Sequence, residues 1–396
     1  MRKSILLSFL FNCFITAAQK QISGRVISEE TKTPLAGASV FISSTSKGTV
    51  ADKEGNFILR NLPEGQQELV ISSVGYETYT YIFSDKQLPL DLSVISLKVK
   101  SKQLEEVTVG PAADEDGWTK WGSFFMSQFI GNTRFAQECS FINSGALKFR
   151  YREATQKLTA WADEPLVIEN KEMGYIIHYK LENFVVDFLN NKMQFLGYPL
   201  FEEMKDENGK RKEKWERNRL KAWKGSMKHF MKAAYDNKLQ EEGFEVQQFS
   251  WTNENTGKNS MYAANMSDSV ILVNNLFNQG GYFGRKEMPL MSAADFMQSA
   301  PGENKILSFK GFLYVVYKND LEELNYFKSS PNQKKRSVQR SVIFLTDVKE
   351  PVQADSKGNY YPPKEVFSLG YWAWREKIAE LLPLEYIPAE NKIPGK

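Results

Sequence analysis

The sequence predicts a multidomain fold: a small N-terminal all-β sandwich of immunoglobulin-like type, followed by a larger α+β domain. Three observations predict it. The chain has 396 residues, more than one hydrophobic core ordinarily supports. Between residues 21 and 95, short apolar stretches are separated by turn chemistry about every ten residues, the spacing of a small sandwich. After residue 117 aromatic residues become frequent, and the apolar pattern moves between helical and strand period. With 42% hydrophobic and 25% charged residues the composition is that of a globular protein without disordered bias. A net charge of +3 is too small to imply nucleic acid as a partner.

Taken in chain order, the first element is an export signal. Arg2 and Lys3 precede an apolar run from Ile5 to Ile15, which ends in Thr16, Ala17 and Ala18. Length and flanks are those of a secretory signal peptide over residues 1–18, cleaved after Ala18. The run falls short of the roughly 20 apolar residues of a spanning anchor. Cys13 raises the alternative of a lipoprotein cysteine, with Leu10 three positions before it, but Phe11 and Asn12 fit such a processing site poorly. Once Cys13 is removed, Cys139 stands alone, so the exported chain has no internal disulfide and is held by burial. No transmembrane helix is expected after signal removal, since no later apolar run is long enough.

The next segment, residues 20–107, reads as short strands. Ile22, Val26 and Ile27 lie in a first strand; Pro34 and Gly37 turn the chain before Val40 and Ile42. Asp52-Lys53-Glu54-Gly55 marks a hairpin turn before Phe57, Ile58 and Leu59, and lacks the ligand spacing of a calcium loop. Leu62-Pro63-Glu64-Gly65 turns again, and Leu69, Ile71 and Val74 are expected to fill the sandwich core. Gly55 and Gly65 are read as positions of positive φ in tight connections.

The runs I-S-G-R-V-I-S, P-L-A-G-A-S-V-F-I, G-T-V-A-D-K-E-G-N-F-I-L, L-P-E-G and L-V-I-S-S-V-G-Y-E, in this order and spacing, resemble the carboxypeptidase-regulatory-like domain of exported Bacteroidetes proteins. The resemblance implies a transthyretin-like, seven-stranded sandwich acting as an adaptor. It does not imply a peptidase. A catalytic zinc site commonly takes two His and a carboxylate; the chain has two histidines, and His178 (H-Y-K-L-E) and His229 (H-F-M-K) open neither an H-x-x-E pair nor an H-E-x-x-H helix. The module often precedes the plug and barrel of TonB-dependent outer-membrane receptors, and L-E-E-V-T-V at residues 104–109 resembles the entry to such a plug. About 290 residues follow, too few for a plug and a barrel of about 22 strands.

Residues 108–117 are small, acidic and turn-rich, the expected linker, and 118–396 form the α+β domain of unknown function. Trp118 to Ile130 reads as a helix with Trp121, Phe124, Phe125 and Phe129 facing a core. Leu147–Tyr151, Leu158–Trp161, Met173–Tyr179 and Val185–Leu189 read as strands, as do Phe312–Tyr317 and Val342–Thr346. The clearest helix spans Glu213 to Leu239, with Trp215, Arg219, Trp223, Met227, Phe230 and Ala234 on one stripe. Lys214, Arg217, Lys221, Lys224, Lys228 and Lys232 form its basic face, either a solvated surface or a contact for an anionic glycan or lipid. Runs around residues 118–250 resemble an uncharacterised domain that accompanies the β module in the same bacteria, which implies no activity.

Candidate chemistry is sparse. No G-x-S-x-G elbow occurs, Ser226 and His229 are helical neighbours without a sequence-placed acid, and Gly280–Gly284 lacks the Lys-Ser/Thr of a phosphate loop. Cys139 reads as a buried, inert thiol. Tyr371, Trp372 and Trp374, beside the loop signal Gly370, are candidates for stacking on sugar rings. Asp268-Ser269-Val270 resembles an O-glycosylation sequon of exported proteins. No cofactor and no metal site are expected. The reading is an exported cell-envelope protein, periplasmic or outer-membrane associated and non-enzymatic, with a β-sandwich adaptor and a C-terminal interaction domain for an envelope protein or an anionic glycan or lipid surface. The competing reading is a glycan- or peptide-acting hydrolase with the sandwich as accessory.

Overall fold

The computed structural model describes residues 20–100, 113–190, 192–206, 209–249, 289–300, 303–329, 335–345 and 351–389. The signal peptide, the first half of the linker, L-E-E-V-T-V, the Asp268 sequon and Gly280–Gly284 lie outside the described residues. Contacts divide the chain into one unit of Met1–Phe41 with Lys47–Lys100 and another of Ile42–Ser46 with Ser101–Lys396.

The first seven strands are β1 (Gln21–Ser28), β2 (Ser39–Ile42), β3 (Gly48–Val50), β4 (Asn56–Arg60), β5 (Gln66–Ser72), β6 (Tyr79–Ser84) and β7 (Leu90–Leu97). They form two sheets, β4-β1-β7 and β3-β2-β5-β6, as the alternation of apolar and polar residues predicts. In β4 Phe57 and Leu59 are buried while Asn56, Ile58 and Arg60 are exposed. β1 runs antiparallel to β4 and parallel to β7. Gly55 and Gly65 do take positive φ, +80° and +93°. The Asp52 turn is an Asx turn: Asp52 Oδ1 accepts from the backbone N–H of Glu54 (3.0 Å) and Asn56 (2.7 Å). It is no hairpin, however, because β3 and β4 belong to different sheets. Leu69 and Ile71 fill the core, but Val74 is 72% exposed, because β5 ends at Ser72 and Val74 sits in the following turn.

The second unit begins with α1 (Gly117–Phe129) and a six-stranded sheet of β8 (Cys139–Phe141), β9 (Leu147–Arg152), β10 (Lys157–Ala162), β11 (Leu166–Asn170), β12 (Tyr175–Asp187) and β13 (Lys192–Glu203). The two strands expected at Met173–Tyr179 and Val185–Leu189 are one, β12. It pairs with β13 along its whole length and, on its other edge, with β11 at Tyr175–Tyr179 and β10 at Phe184–Asp187. A register shift between Leu181 and Asn183 separates these two halves, which is why the apolar spacing looks irregular there. Phe125 and Phe129 of α1 pack on this sheet, with ring centroids 4.6 Å from Phe184 and 4.9 Å from Tyr179.

The helix expected over Glu213–Leu239 is two helices, α2 (Lys212–Trp223) and α3 (Met227–Tyr235). The buried stripe is as expected: Trp215, Arg219, Trp223, Met227, Phe230 and Ala234 are all buried. Gly225, at φ +72°, turns the chain between the helices, and a Cβ there would lie 2.5 Å from Gln339 Oε1. β14 (Phe244–Phe249), β17 (Phe312–Leu321), β18 (Val338–Leu345) and β21 (Val366–Gly370) form one sheet, and β15 (Met297–Ser299), β16 (Lys305–Leu307), β19 (Val352–Ala354) and β20 (Tyr360–Tyr361) another. A second core gathers Phe230, Phe244, Phe296 and Trp372. Among the described residues two further short helices follow, α4 (Leu324–Ser329) and α5 (Tyr371–Arg375).

Candidate functional site

One face of α1 lines an open cleft of about 990 Å³, whose other walls come from the turn at Gly131–Asn132, the segment Ala136–Cys139, α4 and Trp374. Residues four apart on a helix stack on one face. Here Trp118, Gly122 and Met126 make one row and Thr119, Ser123 and Ser127 a second, so α1 offers an apolar strip beside a hydroxyl strip. Asn325, Lys328 and Ser329 of α4 supply an amide, an ammonium and a hydroxyl from the opposite wall. Asn325 Nδ2 donates to Asn132 O at 3.1 Å, which fixes α4 against the turn.

Two indoles border the cleft, each backed by other rings. Trp118 is 39% exposed and packs edge-on against Phe141 at 6.0 Å. Gly122 makes that position accessible, for a Cβ there would approach Trp118 Cδ2 to 2.9 Å. Trp374 stacks on Tyr371 at 5.7 Å and tilts against Tyr326 at 5.3 Å. Rings held in this way present a fixed apolar face to a ligand.

The described residues that line the cleft include no Asp, Glu or His; its titratable side chains are Lys328 and Cys139. Cys139 lies at the cleft but is buried, its thiol directed to Phe135 O at 3.5 Å. Burial, reinforced by Glu380 and Glu138, pushes this thiol up to about 12, so it stays protonated and is a poor nucleophile.

Of the residues expected to stack on sugars, Tyr371 and Trp372 are 1% and 2% exposed and belong to the core. Trp372 Nε1 donates to Gly225 O at 2.6 Å, and Tyr371 Oη accepts from Glu323 N at 3.2 Å. Only Trp374 reaches the cleft. Trp118, read from its spacing as the start of a core-facing helix, is its partner there; the signal available was its position one turn ahead of a helical glycine.

The basic row does not survive as one face, because the turn at Gly225 divides it between α2 and α3. Lys214 pairs with Glu172 at 2.5 Å, Arg217 approaches Glu213 at 3.9 Å and Lys232 pairs with Asp236 at 2.8 Å. Lys228 turns inward and donates to Pro383 O and Leu384 O at 3.1 and 2.9 Å; burial lowers its ammonium to about 8. Lys221 and Lys224 remain exposed.

Ser226 and His229 form a helix cap, with Ser226 Oγ accepting from His229 N at 3.1 Å. The imidazole is occupied at both nitrogens: Nδ1 accepts from Gly225 N at 3.0 Å, and Nε2 faces Glu242 Oε2 at 3.1 Å. Burial lowers it to about 4, so it is neutral, and neither nitrogen is left to activate the serine.

The same elbow is closed by two adjacent side chains, Arg375 at the end of α5 and Glu376 just after it. Arg375 donates to the carbonyls of Lys221, Ala222 and Lys224 at the C-terminus of α2, while Glu376 Oε1 accepts from Met227 N at the start of α3. Arg375 has the sign that a helix C-terminus attracts, and Glu376 supplies an acceptor to an unpaired N–H at the start of α3. Glu380, buried beside Arg375 Nε at 3.5 Å, is pushed up to about 7 by that burial. Among the described residues no group of three or more His, Cys, Asp or Glu could hold a metal ion.

Comparison with known proteins bears on the first unit. Residues 22–109 match the family model of the CarboxypepD_reg-like domain. Two curated relatives from Formosa agariphila, the TonB-dependent receptors P39 and P3, are 32% and 29% identical over 109 residues, or 27% of this chain. The chain spans about a tenth of the length of these relatives. Among solved structures, a type II cohesin–X-dockerin complex from Acetivibrio cellulolyticus is 25% identical over 19% of this chain and 51% of that one, at a TM-score of 0.16. A protein of unknown function from Bacteroides fragilis is 10% identical over 89% of this chain and 95% of that one, at a TM-score of 0.15. Likenesses at such scores carry no inference. The strand pattern of β1–β7 and the family match agree: residues 22–109 of this chain are a CarboxypepD_reg-like domain.

Proposed function

We propose that the chain is an exported cell-envelope protein, non-enzymatic, in which the CarboxypepD_reg-like domain is the adaptor and the second unit binds a ligand in the cleft between α1 and α4. The observation that supports this reading is the chemistry of that cleft: among the described residues it offers hydroxyls, amides, the Lys328 ammonium and two ring-backed indoles, a lining suited to holding a polar ligand, beside a thiol held protonated. The receptors P39 and P3, which share the domain, favour an envelope location. The segment Arg2–Ala18 supports export. No helix of the described residues is long and apolar enough to cross a membrane.

Fractionation and mass spectrometry test this. The chain is expected with the envelope fraction, shortened by residues 1–18 and beginning at Gln19. Recovery of the uncleaved chain in the cytosol would reject the reading, as would time-dependent cleavage of glycan or peptide substrates by the purified protein.

A further inference from the structure

From the cleft's lining we infer that its ligand is an oligosaccharide, with a sugar ring against each of Trp118 and Trp374. The inference rests on the reading of the cleft as a binding site and deepens it by naming the ligand class. Pyranose rings present C–H faces ringed by hydroxyls, so they are recognised by flat apolar surfaces flanked by hydrogen-bonding groups that both donate and accept. The cleft has this composition. The α1 wall sets Trp118 beside Thr119 and Ser123, and the α4 wall adds Asn325 and Lys328. Its volume of about 990 Å³ lies at the upper end of the roughly 300–1,000 Å³ of small-ligand sites, which suits several sugar rings better than one.

Neither indole depends on the ligand for its place. Trp374 stacks on Tyr371, itself buried and tied by its hydroxyl to Glu323 N. Trp118 lies over Gly122, in mid-helix where helix propensity would favour an alanine. A glycine there is explained by the indole: the Cβ of any other residue would lie 2.9 Å from Trp118 Cδ2 and push the ring off its seat. Lys328 is exposed on the opposite wall and can meet either a sugar hydroxyl or the carboxylate of a uronic acid.

The test is a tryptophan-fluorescence and calorimetric titration of the full exported chain with neutral gluco-, galacto- and manno-hexasaccharides and with oligouronates. Binding by at least one class is expected, weakened about tenfold or more in Trp118→Ala and in Trp374→Ala. Gly122→Ala is the decisive variant: it is expected to keep or raise Tm while also weakening binding, an outcome that misfolding would not produce. Loss of affinity in Lys328→Met for oligouronates alone identifies an acidic sugar, and equal loss for all members a neutral one; both support the inference. Absence of any quench and any Tm rise with every member overturns it, as does unchanged affinity in both tryptophan variants. If sugars fail to bind while Trp118→Ala abolishes retention of envelope material, the ligand class is wrong and the binding cleft stands. If bound sugars shorten with time, the ligand class stands and the non-enzymatic reading falls.

Discussion

Among single residues, burial favours the neutral form of His229, Glu376 and Cys139 alike, lowering the first and raising the other two. Burial lowers His229 to about 4, below its ordinary 6.5, so the stability it contributes is present above pH 6.5 and is lost as pH falls through about 4. NMR of the imidazole is expected to show His229 uncharged at pH 6 and titrating near 4. Glu376 is raised from 4.5 to about 7, again by burial, which outweighs the Met227 N–H and Arg375. Its contribution is present below pH 4.5 and is lost as pH rises through about 7. Glu376→Gln keeps an oxygen for Met227 N–H, so its denaturation curves should lose less stability between pH 4.5 and 7 than those of the parent. Cys139 is one of two cysteines in the sequence; the other, Cys13, lies in the proposed signal peptide, so the test uses the chain with Cys13 replaced or cleaved off. With its thiol pushed up to about 12 it should resist a thiol reagent at pH 8 in the native protein and react at once in denaturant. Rapid reaction of the native thiol would undo the case for an inert cysteine in the cleft.

At the level of elements, the break between α2 and α3 is the feature on which most else turns. Helical period alone continues from Glu213 to Leu239, since residues on both sides of Gly225 keep the apolar stripe. What stops the helix is a set of bonds from a distant segment: Trp372 to Gly225 O, Arg375 to the last carbonyls of α2 and Glu376 to the first N–H of α3. Arg375→Ala removes three carbonyl partners and leaves Glu380 buried without its cation. Urea denaturation is expected to show a loss of about 3–5 kcal/mol. The double change Arg375→Met with Glu380→Met should cost less than the single one, with a coupling of about 0.5–3 kcal/mol. Equal costs would mean that the pair is not coupled across the elbow.

For the whole molecule, β1–β7 carry buried residues of their own in two sheets, so residues 20–100 should fold without the rest. Expressed alone, this segment is expected to give a single cooperative thermal transition and a β-type circular dichroism spectrum. A non-cooperative melt would show that it borrows its core. The described strands lie in five sheets of three to six strands.

What the sequence determined by itself was local. The sandwich was legible because a two-residue alternation and the turn chemistry of Asp52-Lys53-Glu54-Gly55 act within a few residues, and α1 because Phe125 and Phe129 repeat at helical spacing. Even there, which sheet each strand joined was a matter of pairing between segments, so the Asp52 turn was legible and its partners were not. Tertiary structure alone decided the rest. An aromatic residue beside a loop signal reads the same whether it is exposed or buried. Tyr371 and Trp372 went inward because a carbonyl 147 residues away and a neighbouring core took them, while Trp374 in the same helix did not. Lys228 likewise left the basic face for carbonyls 155 and 156 residues away. The cleft has no sequence signature, because Trp118 and Trp374 come from opposite ends of the second unit and meet only through packing. The physical reason is one of range: backbone propensity and periodicity are set by neighbours in the chain, whereas desolvation and the partner of each polar group are set by whatever the fold brings near.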